Sequence, residues 1–295
     1  MTAIKTTNPR QGIFRSSPVR TNSSDSRHHH GGHLRKAWRV VRKPMETSVV
    51  RGNFSRCPAL GARFIQATNA LCESDIPDNR IYKALEAFFR SEIAPDITES
   101  FQGDRAQCVS RRLDQVLGIL GDFHPTSYVD IGCGYGDITR GLQDSWGLPK
   151  SKVTGLEVCI PPGVDPQFKL LKFDGKHLPI PNESTDLVSL FVVLHHTEDP
   201  LQTLKEAYRI LKPGGHLVVR ELDAPNKKTQ LFNSVMDHMF YEVYTPCPDV
   251  PIPDNYLGVE DWEQLFWQAG FLIDKITFPE PTNPYQPFMA NLRKS

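Results

Sequence analysis

The residues best suited to approach a ligand are three glycines at alternate positions, Gly132, Gly134 and Gly136, directly after a short apolar run. Glycine has no Cβ, so the backbone there can turn tightly and lie against a bound molecule. A helical pattern follows, and a helix N-terminus offers free N–H groups and positive partial charge. We therefore expect a nucleotide-like cofactor at the carboxyl end of the first strand of an α/β sheet.

Two carboxylates close the next apolar runs. Glu157 lies in the run 153–158, about 20 residues beyond the last loop glycine, where α/β nucleotide sites place an acid on the ribose hydroxyls. Asp174 follows the run 168–173 and can accept a hydrogen bond from an adenine amino group. The loop itself reads Asp-x-Gly-x-Gly-x-Gly, beginning at Asp130, and so differs from the Gly-x-Gly-x-x-Gly fingerprint of dinucleotide sites.

Groups that can move a proton are expected where the fourth and fifth strands end. His195 and His196 follow the buried run 185–194, and Glu221 and Asp223 follow the run beginning at residue 216. Histidine titrates near neutrality, which makes His196 a candidate general base. The alternatives stay open: one histidine can cap a helix or bond the backbone, and the acids can orient an acceptor or form an internal ion pair.

Alternating strand and helix patterns position these groups. Helical runs follow the glycine loop and the two histidines, and an aromatic-rich helical segment at 232–244 is read either as core or as a wall of the acceptor pocket. The runs 271–278 and 288–292 predict an antiparallel hairpin. Pro161, Pro162 and Pro166 predict an irregular crossover, rather than a helix, between Glu157 and Asp174.

In this order, the motifs resemble those of class I S-adenosylmethionine-dependent methyltransferases, in the group with Leu-His-His after strand four and Leu-Lys-Pro-Gly-Gly before strand five. The resemblance covers residues 105–295. It implies an enzyme with an α/β fold: a Rossmann-like, mostly parallel sheet of seven strands, the last antiparallel, with helices on both faces.

The resemblance also implies the cofactor, S-adenosyl-L-methionine. Asp130 and the loop glycines are expected on its methionine and ribose side, Glu157 on the ribose, and Asp174 with Gly175 at the adenine. The full expected set is Asp130, Gly132, Cys133, Gly134, Tyr135, Gly136, Glu157, Val158, Asp174, Gly175 and Leu194.

The chain is expected to divide at residue 75. Residues 1–75 are interpreted as a basic, mostly disordered arm. Residues 76–295 are interpreted as the methyltransferase domain, with N-terminal helices at 76–125, a cofactor-binding half at 126–223, and acceptor-side helices and the hairpin at 224–295. The helical stripe at 81–89 either covers the cofactor pocket or simply packs.

The arm carries thirteen Lys and Arg residues against two acids over residues 1–63. Three roles remain open for it: an RNA tether built on the cations around Trp38, an organelle transit peptide, or a solvated linker. Six scattered cysteines without a Cys-x-x-Cys pair indicate a reducing, intracellular compartment, cytoplasmic or, with a transit peptide, mitochondrial. We expect no membrane span and no metal site.

Three functions follow from these observations. The leading one is methyl transfer to a small molecule, as in enzymes of quinone biosynthesis. The alternative is an RNA methyltransferase acting on a cap or a tRNA, cellular or viral, with the arm as tether. The third is a methyltransferase-fold partner subunit that does not catalyse, which the intact glycine loop and Glu157 disfavour.

Overall fold

Seven strands form one sheet at the centre of the protein, which is known from a computed structural model. They are β1 (Tyr128–Ile131), β2 (Val153–Glu157), β3 (Lys169–Lys172), β4 (Thr185–Phe191), β5 (Leu211–Leu222), β6 (Phe271–Thr277) and β7 (Pro287–Lys294). The structure describes residues 34–50, 54, 57–96, 100–160, 164, 166–244, 250 and 252–295.

The strand order β3-β2-β1-β4-β5-β7-β6 confirms the predicted fold class. β7 runs antiparallel to both of its neighbours, and the remaining pairs are parallel. The order reverses between β1 and β4, and ligands of open α/β sheets bind at that switch point, beyond the carboxyl ends of the strands. The loops after β1 and β4 are therefore the place to look for a site.

Helices cover both faces of the sheet. α4 (Ser100–Leu120) and α5 (Asp137–Trp146) share one apolar core with Tyr128, Leu187 and Val218. α6 (Pro200–Ile210) and α8 (Val259–Gln268) pack on the opposite face, where Trp262 and Phe266 are fully buried. Both patterns agree with the helices expected from the apolar spacing. Between β2 and β3, the described residues contain no helix, so the irregular crossover is confirmed for them.

A separate helical layer contradicts part of the predicted arm. It consists of α1 (Leu34–Ser48), α2 (Pro58–Glu73), α3 (Ile81–Glu92), α7 (Lys227–His238) and a π-helical turn, Met239–Tyr244. These elements share one core, on both sides of the expected boundary at residue 75. The prediction of a mostly disordered arm is therefore wrong for α1 and α2, while residues 1–33 lie outside the described residues.

The reason lies in how α1 distributes its charge. Its apolar residues Leu34, Trp38, Val41 and Met45 recur every three or four positions and are buried. The cationic residues occupy the intervening positions and so share the other side of the helix. The composition of the segment records their number but not this separation into two faces. Trp38 is 4% exposed and donates its Nε1 hydrogen to Asn69 at 2.8 Å, so it belongs to the core.

Two further expectations concern the chain as a whole. Among the described residues, no helix combines the length and apolar character needed to cross a membrane. Cys159 is disulfide-bonded, whereas Cys72, Cys108 and Cys133 carry free thiols. The expected reducing compartment therefore stays a prediction.

Candidate active site

The loop after β1 needs glycine for two different reasons. Gly132, Gly134 and Gly136 all have positive φ, at 72°, 54° and 76°. A Cβ on Gly132 would lie 2.4 Å from Val193 Cγ2, and one on Gly136 would lie 2.4 Å from Phe168 Cζ. At Gly134, by contrast, no described atom lies within 4 Å of an added Cβ. The first and third glycines admit tight packing, and the middle one borders open space.

Asp130 is buried beneath this loop. Its Oδ1 accepts from the Ser189 hydroxyl at 2.6 Å, and its Oδ2 accepts from the Thr139 hydroxyl at 2.5 Å. Burial, opposed by these hydrogen bonds, raises the pKa of Asp130 to about 6. Both oxygens therefore link β1 to β4 and to the first turn of α5, and the side chain is 2% exposed. The geometry supports a loop-holding role rather than the direct cofactor contact implied by the resemblance.

Glu157 joins the end of β2 to the glycine loop. Its Oε2 accepts the backbone hydrogen of Gly134 at 2.8 Å, and its Oε1 accepts that of Val158, also at 2.8 Å. The structure thus brings together the glycine and the carboxylate that the sequence predicted, although they are 23 residues apart. Tyr135, in the same loop, is 46% exposed.

The expected adenine-side residues lie beyond the ends of β2 and β3. An added Cβ on Gly175, at φ 80°, would meet Val158 Cγ1 at 3.4 Å, so these two residues are neighbours. Asp174 is exposed, and its Oδ1 accepts the backbone hydrogens of Lys176 and His177. Those hydrogen bonds lower the pKa of Asp174 to about 2.

The turn after β4 is strained and held from β5. Val192 has φ 63°, which is rare for a β-branched residue and costs about 1–3 kcal/mol. Glu221 Oε1 accepts the next two backbone hydrogens, those of Val193 at 2.9 Å and Leu194 at 2.7 Å. Leu194 is fully buried in the core, so its side chain faces no open pocket. Strain of this kind concentrates at functional sites.

His195 is enclosed by two carboxylates. Its Nδ1 lies 2.6 Å from Glu221 Oε2, and its Nε2 lies 3.2 Å from Asp237 Oδ2. The second contact is close but is not aligned as a hydrogen bond among the described residues. Burial opposes the charged ring, but the two carboxylates outweigh it and raise the pKa of His195 to about 10. Burial between these two carboxylates fixes the ring in place, which favours the structural alternative for His195.

His196 lies beside this pair, at the edge of the helical layer. Its Nε2 is 3.9 Å from Asp237 Oδ2, and its ring packs edge-on against Tyr241, with centroids 5.0 Å apart. Burial and the carboxylates of Asp237 and Glu157 raise the pKa of Tyr241. Tyr241 is thus within electrostatic reach of both the cofactor-side carboxylate and the histidine cluster. Its π-helical turn is a feature often found at functional sites.

Sequence reasoning missed Asp237 and Tyr241. Both lie in the aromatic-rich helical segment that was expected to be core or pocket wall, more than 40 residues after the histidines. No local motif links them to residues 195–196, because only the packing of α7 brings them there. The same packing places ligand atoms of His195, His196 and Asp237 within 4.8 Å of one another, a grouping that no sequence motif indicated.

The remaining charged candidates have structural partners. Asp223 Oδ1 accepts the backbone hydrogen of Val259 at 2.9 Å and so stabilises the start of α8. Arg220, which precedes Glu221 on β5, forms an internal ion pair: its Nη2 lies 3.4 Å from Glu280 Oε1. Arg112 Nη1 lies 3.1 Å from the same oxygen. Arg220 therefore pairs with Glu280 rather than with Glu221 or Asp223, and His196 is the remaining candidate base.

Comparison with known proteins gives the class. A family model described as a methyltransferase domain matches residues 101–276. The demethylmenaquinone methyltransferase of Lactococcus lactis is 34% identical over 175 residues, covering 52% of this chain and 68% of that one. The protein of the same name from Staphylococcus aureus is 28% identical over 176 residues, covering 54% and 73%.

Two solved structures also align with part of the chain. An S-adenosylmethionine-dependent methyltransferase from Mesorhizobium loti matches with a TM-score of 0.47 and 17% identity, over 63% of this chain and all of that one (100%). One from Aquifex aeolicus matches with a TM-score of 0.44 and 17% identity, over 62% and 89%.

The fold and the matched domain define a methyltransferase. The chain belongs to the class I S-adenosylmethionine-dependent methyltransferase family and is an enzyme of that class.

Proposed function

We propose that this enzyme methylates a small molecule that gives up a proton from oxygen or carbon, with His196 as the general base. The observation that carries the proposal is the ring contact between His196 and Tyr241, a residue of the helical layer that also lies within electrostatic reach of Glu157. The names of the two bacterial relatives, demethylmenaquinone methyltransferases, support an aromatic quinone-type acceptor.

The glycine loop fits the cofactor. The open space at Gly134 allows close approach of a ligand to the backbone, and a side chain there would fill it. We assign the ribose hydroxyls to Glu157 and the adenine edge to Asp174 and Gly175. S-adenosylmethionine, when bound, supplies a methyl group on positive sulfur, which is already an excellent electrophile.

The protein's own contribution is then positioning and proton removal. Nε2 of His196 accepts the acceptor's proton, while Asp237 at 3.9 Å stabilises the imidazolium that forms. Glu221 fixes the turn after β4, because it accepts the backbone hydrogen of Leu194 and contacts the ring of His195. Tyr241 and the exposed Phe240, whose rings are 5.1 Å apart, offer an apolar wall against which a flat acceptor can pack.

RNA is the second candidate acceptor, favoured by one observation. α1 exposes Lys36, Arg39, Arg42 and Lys43 to solvent, and a cationic surface attracts the phosphate backbone. Trp38 is buried and offers no ring for base stacking. The basic surface therefore supports electrostatic attachment, with the readout of bases left to other residues.

Methyl-labelled cofactor distinguishes the two acceptors. The full chain is incubated separately with a reduced demethylated naphthoquinone and with total RNA, and label is counted in each. We expect label in the quinone product, lost in His196→Gln and kept in the exposed control His177→Gln. Label in RNA alone, unaffected by His196→Gln, would contradict the proposal.

A further inference from the structure

We infer that His195, His196 and Asp237 form a binding site for a divalent transition-metal ion of the zinc type. The three side chains come from two elements, the turn after β4 and α7, and converge beneath the helical layer. Two imidazole nitrogens and one carboxylate oxygen are ligands that Zn²⁺ and its neighbours prefer.

The distances suit a shared ion. Ligands of a tetrahedral Zn²⁺ ion, each bound at about 2.0–2.2 Å, lie roughly 3.4 Å from one another. Nε2 of His195 is 3.2 Å from Asp237 Oδ2, which matches this separation. Nε2 of His196 is 3.9 Å from the same oxygen, so a small rotation of that side chain closes the site.

The surroundings resemble the outer shell of a metal site. A metal-bound histidine usually directs its other ring nitrogen to a carboxylate, and Nδ1 of His195 meets Glu221 at 2.6 Å. The Tyr256 hydroxyl donates to Asp237 Oδ2 at 2.5 Å, which orients the third ligand. Nε2 of His195 is buried and lacks an aligned hydrogen bond among the described residues, as expected for an atom that awaits another partner.

Charge favours a cation here. With both imidazoles neutral, the carboxylates of Glu221 and Asp237 carry two negative charges in a buried setting, which a divalent ion neutralises. Nε2 of each neutral imidazole then has a lone pair to offer as a ligand.

The inference goes beyond methyl transfer, because binding is measured without cofactor or acceptor. It also bears on the proposed mechanism. Nε2 of His196 has one lone pair, so accepting the acceptor's proton and holding a metal are alternatives at this atom. Failure of metal binding leaves the proposed base in place, and failure of methyl transfer leaves the metal result standing.

Cobalt(II) titration followed by its ligand-field absorption tests the site. The full chain is used with His28, His29, His30 and His33 changed to Asn in every protein compared, because these histidines could bind metal themselves. We expect saturable binding of one Co²⁺ per chain. Asp237→Asn should weaken it by at least about 100-fold, and Glu221→Gln, an outer-shell change, by about 10–100-fold.

The matched control is His177→Ala, which removes an exposed histidine that also lies beside a carboxylate, that of Asp174. It should bind Co²⁺ like the unaltered protein. Equal affinity in Asp237→Asn and His177→Ala would overturn the inference, as would no saturable absorption at all. If Asp237→Asn fails to fold, X-ray absorption of Co²⁺ bound to the protein with His195, His196 and Asp237 unchanged tests the site instead. Nitrogen and oxygen ligands around the ion would support the inference, and sulfur ligands would refute it.

Discussion

The loop after β1 and the turn after β4 meet at the same edge of the sheet, yet different interactions hold each of them in place. The β1 loop combines positive-φ glycines with two carboxylates that close neighbouring strands, Asp130 of β1 and Glu157 of β2. The β4 turn is held by side chains from β5 and α7, namely Glu221 and Asp237. The first is a local motif, and the second exists only once distant elements have packed.

This difference suits the two tasks proposed for the site. A loop with an open middle glycine can bind the same cofactor in many enzymes, because the ligand meets backbone there rather than a variable side chain. A cluster assembled from the turn and the helical layer can change with the acceptor. Substitutions in the two regions should therefore affect different properties of the enzyme.

The largest effect is expected at the loop. Gly134→Arg should abolish S-adenosylmethionine binding while the protein stays folded, because the side chain would enter the open space. Its positive φ adds a strain of about 1–2 kcal/mol. Gly121→Arg is the matched control, since that glycine also has positive φ, 61°, and no described atom within 4 Å of its Cβ position. Calorimetric affinity that survives in Gly134→Arg would place the cofactor elsewhere.

On the acceptor side, His196→Gln should lower kcat by about 10²–10⁴-fold, the range for loss of a general base. The dissociation constant for the cofactor should not change, because His196 belongs to the other region. Steady-state kinetics measures kcat, and calorimetry on the same preparation measures the dissociation constant for the cofactor. A weaker cofactor affinity with unchanged kcat would reverse the assignment of the two regions.

A moderate effect is expected where the regions meet. Glu157→Gln should weaken cofactor binding by about 1–3 kcal/mol, because it replaces charge-assisted hydrogen bonds to the ribose with neutral ones. The amide oxygen can still accept the Gly134 hydrogen, so the loop should persist. Calorimetry measures the affinity. A change confined to turnover would argue against ribose binding by Glu157.

The most gradual effect, spread over several pH units, is a pH dependence of stability that differs between the regions. The raised pKa values of Asp130, about 6, and His195, about 10, both mean that the folded state binds a proton more tightly than the unfolded state. Asp130 therefore contributes stability below about pH 4 that is lost as pH rises through 6. His195 contributes stability below about pH 6.5 that is lost as pH rises through 10.

Each proton changes the free energy of unfolding by at most about 1.4 kcal/mol per pH unit. Asp237→Asn should flatten the alkaline slope and leave the acid slope intact. Denaturant unfolding between pH 4 and 10, the range set by these pKa values, measures both slopes. Equal flattening of the two slopes would show that the regions are not independent.

The same contrast explains what the sequence could predict. The positions of the expected cofactor residues could be predicted because these residues follow one another along the chain: glycines after β1, Glu157 ending β2, Asp174 after β3. Periodicity likewise predicted the hairpin and the helices on the sheet. These features follow from local sequence patterns, which can be recognised before the fold is known.

The acceptor-side cluster could not be predicted, because its residues lie far apart in the sequence. Asp237 contacts His195 only because α7 packs beside the turn after β4. α1 and α7 share an apolar core that the basic composition of the N-terminal segment did not indicate. Asp130 matched a motif, yet its oxygens bond Ser189 and Thr139, a detail that spacing does not reveal. Long-range packing decides such roles, and no single-sequence pattern records it.

The central claim is that the β1 loop binds the cofactor with its reactive end toward the turn after β4. A crystal structure with bound S-adenosylhomocysteine tests this directly. We predict the ribose on Glu157 and the sulfur facing His196 and Tyr241. A cofactor bound elsewhere, or a sulfur directed away from His196 with Tyr135 filling the loop, would contradict the account.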